Sequence, residues 1–326
     1  NVMNNHTAAR IDAGATVNSA TTIDVLANLR RDGVNFLDAG QVHSVTRAGE
    51  AAFGLDVAAG AAVAGTATLP PSLIPTTAGD LTEAVIGEGA TVTAPVSVDV
   101  RAKTKHDFDN QAIGGALGLH YAAAVGGAIN YANSEANARI DGGSVTVAAG
   151  DLNVIADTDT PYRPEALGLA AAGTLALGGS LEANVTANTT RSGIDGAGTI
   201  VANKVFVTAT DDSKLDTDAG ALSWGLASSA GAAVGTNVMH NTVVAFINEA
   251  NVTTDVGNIE VSATSDYEID AGAQARSSAI GISGVGTVAI NEIQNATQAF
   301  ISAGAQIHSA VDVLIDAVDK STIIAN

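Results

Sequence analysis

The chain has 326 residues, 46% of them hydrophobic but only 3% aromatic, with 35 Gly, no Cys and a formal net charge of −20. With 14 Lys and Arg against 34 Asp and Glu, it is poorly equipped to neutralise nucleic-acid phosphates or to dock on anionic lipid. The apolar residues are periodic, which excludes a disordered chain, yet they are too small to fill an ordinary globular core.

From the first residue onward one motif recurs: an Asn, an Ile ten residues later, then a Val-x-Val strand. The Ile anchors are Ile11, Ile86, Ile140, Ile194, Ile247 and Ile301. The second anchors are Val25, Val100, Val154, Val207, Val261 and Ile315. After a first interval of 75 residues, both series step by 53 or 54. A fixed period of this size marks stacked repeats that share one continuous core. The expected organisation is a single array over residues 1–326, with units beginning near 1, 76, 130, 184, 237 and 291. Its first residues are polar and start inside a repeat, so the chain reads as a segment of something longer.

Within a unit three short strands are predicted, for example at 138–140, 145–147 and 152–156. Turns at Asp141-Gly142-Gly143 and Ala149-Gly150-Asp151 separate them. Alternation and β-branched content make these strands rather than helices. A polar, acidic connection follows, then a Gly/Ala-rich stretch such as 166–181 or 271–291. The fold class is therefore all-β, a parallel β-solenoid (β-helix) of tandem repeats of about 54 residues, and two coils of roughly 27 residues per unit are expected. The Gly/Ala stretches sit at one phase of the repeat and read as buried solenoid core, not as membrane-inserting segments.

The longer first interval places an inserted loop between Arg47 and Leu81. Pro70, Pro71 and Pro75 fall in it, and proline cannot donate to a β-ladder. An insertion of this kind is either a tolerated surface loop or a binding loop on one face.

Aligned on the Ile anchor, Asn1, Thr76, Asn130, Asn184, Asn237 and Asn291 form one column. Four residues later stand Asn5, Asp80, Ser134, Asn188, Asn241 and Asn295. Equivalent residues stack at about 4.8 Å. Asn1, Asn130, Asn184, Asn237 and Asn291 are therefore expected to form a structural amide ladder rather than a ligand site.

Residues 286–301 read Gly-Thr-Val-Ala-Ile-Asn-Glu-Ile-Gln-Asn-Ala-Thr-Gln-Ala-Phe-Ile, and residues 305–317 read Ala-Gln-Ile-His-Ser-Ala-Val-Asp-Val-Leu-Ile-Asp-Ala. This resembles the repeat region of giant bacterial filamentous adhesins, the leukotoxin-like β-repeat proteins exported by autotransporter or two-partner routes. The other units share the pattern, with Thr76 and the insertion as departures. The resemblance implies an extracellular or cell-surface fibre and carries over no catalytic residue. The absence of Cys is consistent with export.

The acidic clusters after each Val-x-Val strand are the candidate chemistry. They comprise Asp107 and Asp109, then Asp157 and Asp159, then Asp211, Asp212, Asp216 and Asp218, then Asp266, Glu268 and Asp270. Stacking is expected to bring them to one edge, where crowded carboxylates either bind Ca²⁺ or form a solvated acidic face. Neither an EF-hand spacing nor a Ca²⁺-binding nonapeptide is present.

Enzyme signals are poor. His6, His43, His106, His120, His240 and His308 share no column, and no acid pair is singled out for glycoside hydrolysis. Trp224, the only Trp, has small column neighbours and is expected to be buried in a strand rather than exposed as a contact. The expectation is a structural and adhesive stalk segment of a secreted bacterial surface protein, without catalysis. Its partners would be further copies or repeats of itself and a host or matrix surface, including glycans. Two alternatives stand beside it: a Ca²⁺-stabilised extracellular binding module, and a polysaccharide-cleaving β-helix enzyme.

Overall fold

The computed structural model describes residues 2–3, 5–30, 42–54, 56–68, 80–196, 198–302 and 304–325. All regular secondary structure in these residues is β. One coil consists of the strands Tyr121–Ala132, Ser134–Asp141, Ser144–Val147 and Asp151–Ala172. The chain then turns and starts the next rung at Leu175–Thr186. Each of the four strand types stacks in parallel on its equivalents, giving four sheets, which we call A to D in their order along the coil. The fold is an all-β parallel solenoid.

Register fixes the coil size. Asn130 pairs with Asn184, Ile140 with Ile194, Val145 with Ile200 and Val154 with Val207. Partners are thus one whole repeat apart, and each repeat makes one coil, not two of half the length. The acidic segment is responsible for the difference. It is not a connection: Asp151–Ala172 and Lys204–Gly225 are unbroken strands of 22 residues. They run from the Val-x-Val motif through the acids and into the Gly/Ala stretch. That stretch folds sharply at a turn such as Gly173-Thr174, and its second half becomes sheet A.

The extra length of the first interval enters in two steps. Arg30 pairs with Lys105, 75 residues on, whereas Val42 pairs with His106, 64 on. Ala67 pairs with Tyr131, still 64 on, and Asp80 pairs with Ser134, 54 on. Eleven residues are therefore gained between Arg30 and Val42, and ten between Ala67 and Asp80. Val42–Gly54 and Val57–Thr68 are in-register strands of sheets D and A. Within 47–81, only the second step is an insertion; Pro70, Pro71, Pro75 and Thr76 lie outside the described residues. Asn130 pairs with Thr66, so Thr66 and not Thr76 stands in the Asn column.

The cross-section has two parts. Where sheets B, C and the first half of D enclose the interior, Ile140, Ile194, Val145, Ile200, Val154 and Val207 are buried together. Phe108 and Tyr162 stack there with centroids 4.7 Å apart. Beyond this core, the second half of D and sheet A lie face to face as a thin blade. Its interior includes Ala112, Ala128 and Ala166 at one level, and Ala116, Ala122, Ala124, Ala170 and Ala176 at another. The two backbones approach so closely at Gly114 that an added Cβ would stand 2.1 Å from the Val125 carbonyl oxygen. Only small residues fit where the sheets come this close. The tight turn between B and C uses left-handed glycines, including Gly89, Gly142 and Gly196; in the fifth repeat Glu249 takes that conformation at φ 52°.

Candidate functional surface

Strand alternation decides where the carboxylates go. Asp211 shares its register with Thr158, whose side chain points inward, and Asp212 shares it with Asp159, which points outward. The expected single acidic edge is therefore divided between interior and surface.

On the outer face of sheet D several carboxylates have cationic neighbours, on the next rung or on their own strand. Lys103 Nζ lies 2.5 Å from Asp157 Oδ2, and Lys105 pairs with Asp159. Arg163 donates to Asp107 at 3.1 Å. Lys214 stands 3.6 Å from Asp212 and 3.9 Å from Glu268. Asp216, Asp218 and Asp266 are exposed, and Asp109 and Asp270 are half-buried. Burial raises Asp212 and Asp218 above the ordinary carboxylate range, and for Asp218 the nearby Asp216, Glu165 and Asp270 add to it. Among the described residues, no group of three or more His, Asp or Glu is arranged to hold a metal ion.

Two carboxyls are enclosed. Asp211 accepts hydrogen bonds from Ser213 at 2.5 Å and from Tyr267 at 3.2 Å. Burial nevertheless pushes it up to about 7. Glu182 sits inside the blade, accepts from Asn184 at 2.9 Å, and is pushed by burial up to about 8. Both interactions lie within the stacked interior, away from any groove, so these acids act as partly neutral core groups. Burial raises the phenols of Tyr162 and Tyr267 as well, so both stay protonated.

The Asn columns are also internal. Asn130 Nδ2 donates to Asn184 Oδ1 at 2.6 Å, Asn184 to Asn237 at 2.9 Å and Asn237 to Asn291 at 2.9 Å. Asn1 lies outside the described residues. In the second file the side-chain oxygen receives the backbone N–H of the rung before: Ser134 donates to Asn188, Asn188 to Asn241, and Asn241 to Asn295. Hydroxyl pairs bridge sheets B and D at Thr82–Thr104, Thr158–Thr190 and Thr297–Ser265. His106 is enclosed with them, its Nε2 3.1 Å from Ser134 Oγ and 3.5 Å from Asp80 Oδ2. All these groups join strand to strand.

The outer surface of the blade was not anticipated from the sequence. Because its interior is lined mainly by Ala, Gly and small polar residues, the larger apolar residues of the same strands point to solvent. Trp224 is 61% exposed, not buried, and lines a shallow apolar groove on sheet D with Phe53, Leu117, Leu169 and Leu222. Leu119, Leu226 and Ile280 are exposed at the blade's turns. The Gly/Ala stretches are thus half core and half surface. The legible signal was size by parity: Ala166, Gly168 and Ala170 alternate with Leu167 and Leu169, and the small set must face the closer neighbour.

The stacked ladders and divided carboxylates leave two surfaces with distinct chemistry: the charged outer face of sheet D beside the core, and the apolar blade. No protein-family model matches this chain, and neither does any curated protein or solved structure.

Proposed function

We propose that this chain is a structural and adhesive segment of a secreted bacterial surface protein. The observation that carries the reading is the constant one-repeat register. Chemistry-bearing residues recur rung after rung and are consumed in joining rungs. A catalytic site needs a unique convergence of groups, whereas a scaffold needs repetition. The paired outer carboxylates and the apolar blade are contact surfaces of the kind an extracellular fibre presents to its neighbours or to a matrix.

The reading is tested on intact source cells with an antibody raised against this chain. Labelling without permeabilisation, together with binding of the purified protein to matrix proteins or glycans, is the expected result. Signal confined to permeabilised cells would overturn the location. Depolymerisation of a polysaccharide panel by the purified chain would overturn the non-catalytic role.

A further inference from the structure

We propose that the outer face of sheet A is a self-pairing surface, on which a second copy of this chain docks with its own sheet A. Inward positions on this sheet are mainly Ala, Gly and small polar residues that pack on sheet D, with Glu182 and Met239 as larger exceptions. Outward positions include Val63, Tyr121, Val125, Ile129, Leu177 and Leu181, between 44% and 67% exposed. Among the described residues, no element packs on this face. Parallel sheets are ordinarily covered on both sides, because both sides are apolar.

Charge identifies the occupant. On four successive rungs, Val57–Thr68, Tyr121–Ala132, Leu175–Thr186 and Ser228–Met239, no outward position holds Asp, Glu, Lys or Arg; the first charged one is Glu292, on the fifth rung. Two copies of a chain carrying −20 repel each other wherever carboxylates meet. On those four rungs they meet without any. The face lacks cations as well, so it offers nothing to an anionic partner or an anionic lipid surface.

Area and relief agree. Five rungs of twelve-residue strands cover roughly 900 Å², from strand spacing and rise. Each partner in a stable interface contributes about 800 Å², and monomers seldom leave such an apolar patch open. Large and small residues share files across the rungs, as in Val63, Gly127, Leu181 and Val234. Such relief lets two faces interdigitate at about 10 Å, as packed sheets do. A face that meets its own copy forms a closed two-fold pair. The contact is lateral and holds whether or not the chain serves as an adhesive stalk.

The test is sedimentation of the full chain. The wild type is expected to dimerise. Leu181→Glu and Leu181→Lys, near the centre of the face, should each raise the dimer dissociation constant by about a hundredfold or more, and an equimolar mixture of the two should recover the dimer. Unchanged far-UV circular dichroism would confirm that the variants fold. A second measurement does not depend on those variants. The chain has no Cys, so Ala183→Cys on this face should form a disulfide-linked dimer, whereas Ala171→Cys on the sheet D side of the blade should not. A monomeric wild type, a dimer indifferent to both Leu181 changes, or equal cross-linking at the two Cys positions would overturn the proposal. So would a monomer that floats with phosphatidylcholine vesicles, which would assign the face to lipid.

Discussion

The Gly179 carbonyl oxygen occupies the space in which a side chain at Gly168 would begin: a Cβ there would stand 1.9 Å from it. The two glycines face each other across the blade, so Gly168→Ala forces its two sheets apart. The expected cost is about 2–3 kcal/mol, in the upper range for overpacking a filled interior. Gly235→Ala is the contrast. Nothing lies within 4 Å of its would-be Cβ, and restricting the unfolded chain should leave stability unchanged or raise it by up to about 1 kcal/mol. Urea denaturation of both variants checks the pair.

Asn184 makes three side-chain hydrogen bonds in the amide ladder, as Asn237 does. It accepts from Asn130, and its Nδ2 donates to Asn237 and to Glu182. Asn184→Leu strands three buried polar partners, so a loss of roughly 2–5 kcal/mol is expected, because unsatisfied buried groups keep their full desolvation penalty. Hydrogen exchange should show the loss centred on the rungs of Tyr121–Ala132, Leu175–Thr186 and Ser228–Met239, with distant rungs protected, as expected for nearest-neighbour stacking.

The buried acids give stability an unusual pH dependence. Glu182 titrates near 8 and Asp211 near 7 in the folded state, both raised by burial. The charged groups acting on Glu182 are Asp218, Asp216 and Glu165; those acting on Asp211 are Asp212 and Asp157. The folded chain therefore holds protons that the unfolded chain releases near pH 4. This contribution is complete below that pH and is lost as pH rises through about 7 to 8. Melting temperature should fall between pH 5.5 and pH 8.5. Glu182→Gln, which retains an acceptor for Asn184, should flatten the decline and raise stability at the alkaline end by roughly 1–3 kcal/mol.

Glu249 holds a left-handed conformation that glycine fills in the other repeats. A non-glycine residue there costs about 1–2 kcal/mol. Glu249→Gly should recover about 0.5–1 kcal/mol, after allowing for the greater freedom glycine has when unfolded. Thermal melts of the variant and wild type read the difference.

The repeat, the parallel stacking and the interior place of Ile140, Val154 and their equivalents were legible because apolar alternation reports burial directly. Coil size was not. Thr158, Thr160, Asp211 and Ser213 point inward but are polar, so a strand that continues through them reads as a connection. The same polarity merged inward Asp211 with outward Asp212 into one acidic edge, although their parity differs. In the blade the difficulty is the reverse. Leu167 and Gly168 are both apolar, and hydropathy does not say which faces in; only size does. Nor was the double insertion legible, since a single interval records the total length gained and not where register changes.

One coil per repeat also sets how such a structure bends. Strands of 22 residues span about 70 Å in cross-section, while a whole repeat advances the axis by only about 4.8 Å. Any longer run of these coils is a ribbon on edge rather than a needle. Resistance to bending rises steeply with depth in the direction of the bend, so the ribbon flexes readily across its thin blade and hardly at all along its width. Adding or losing one repeat would change its reach by less than the width of two side chains.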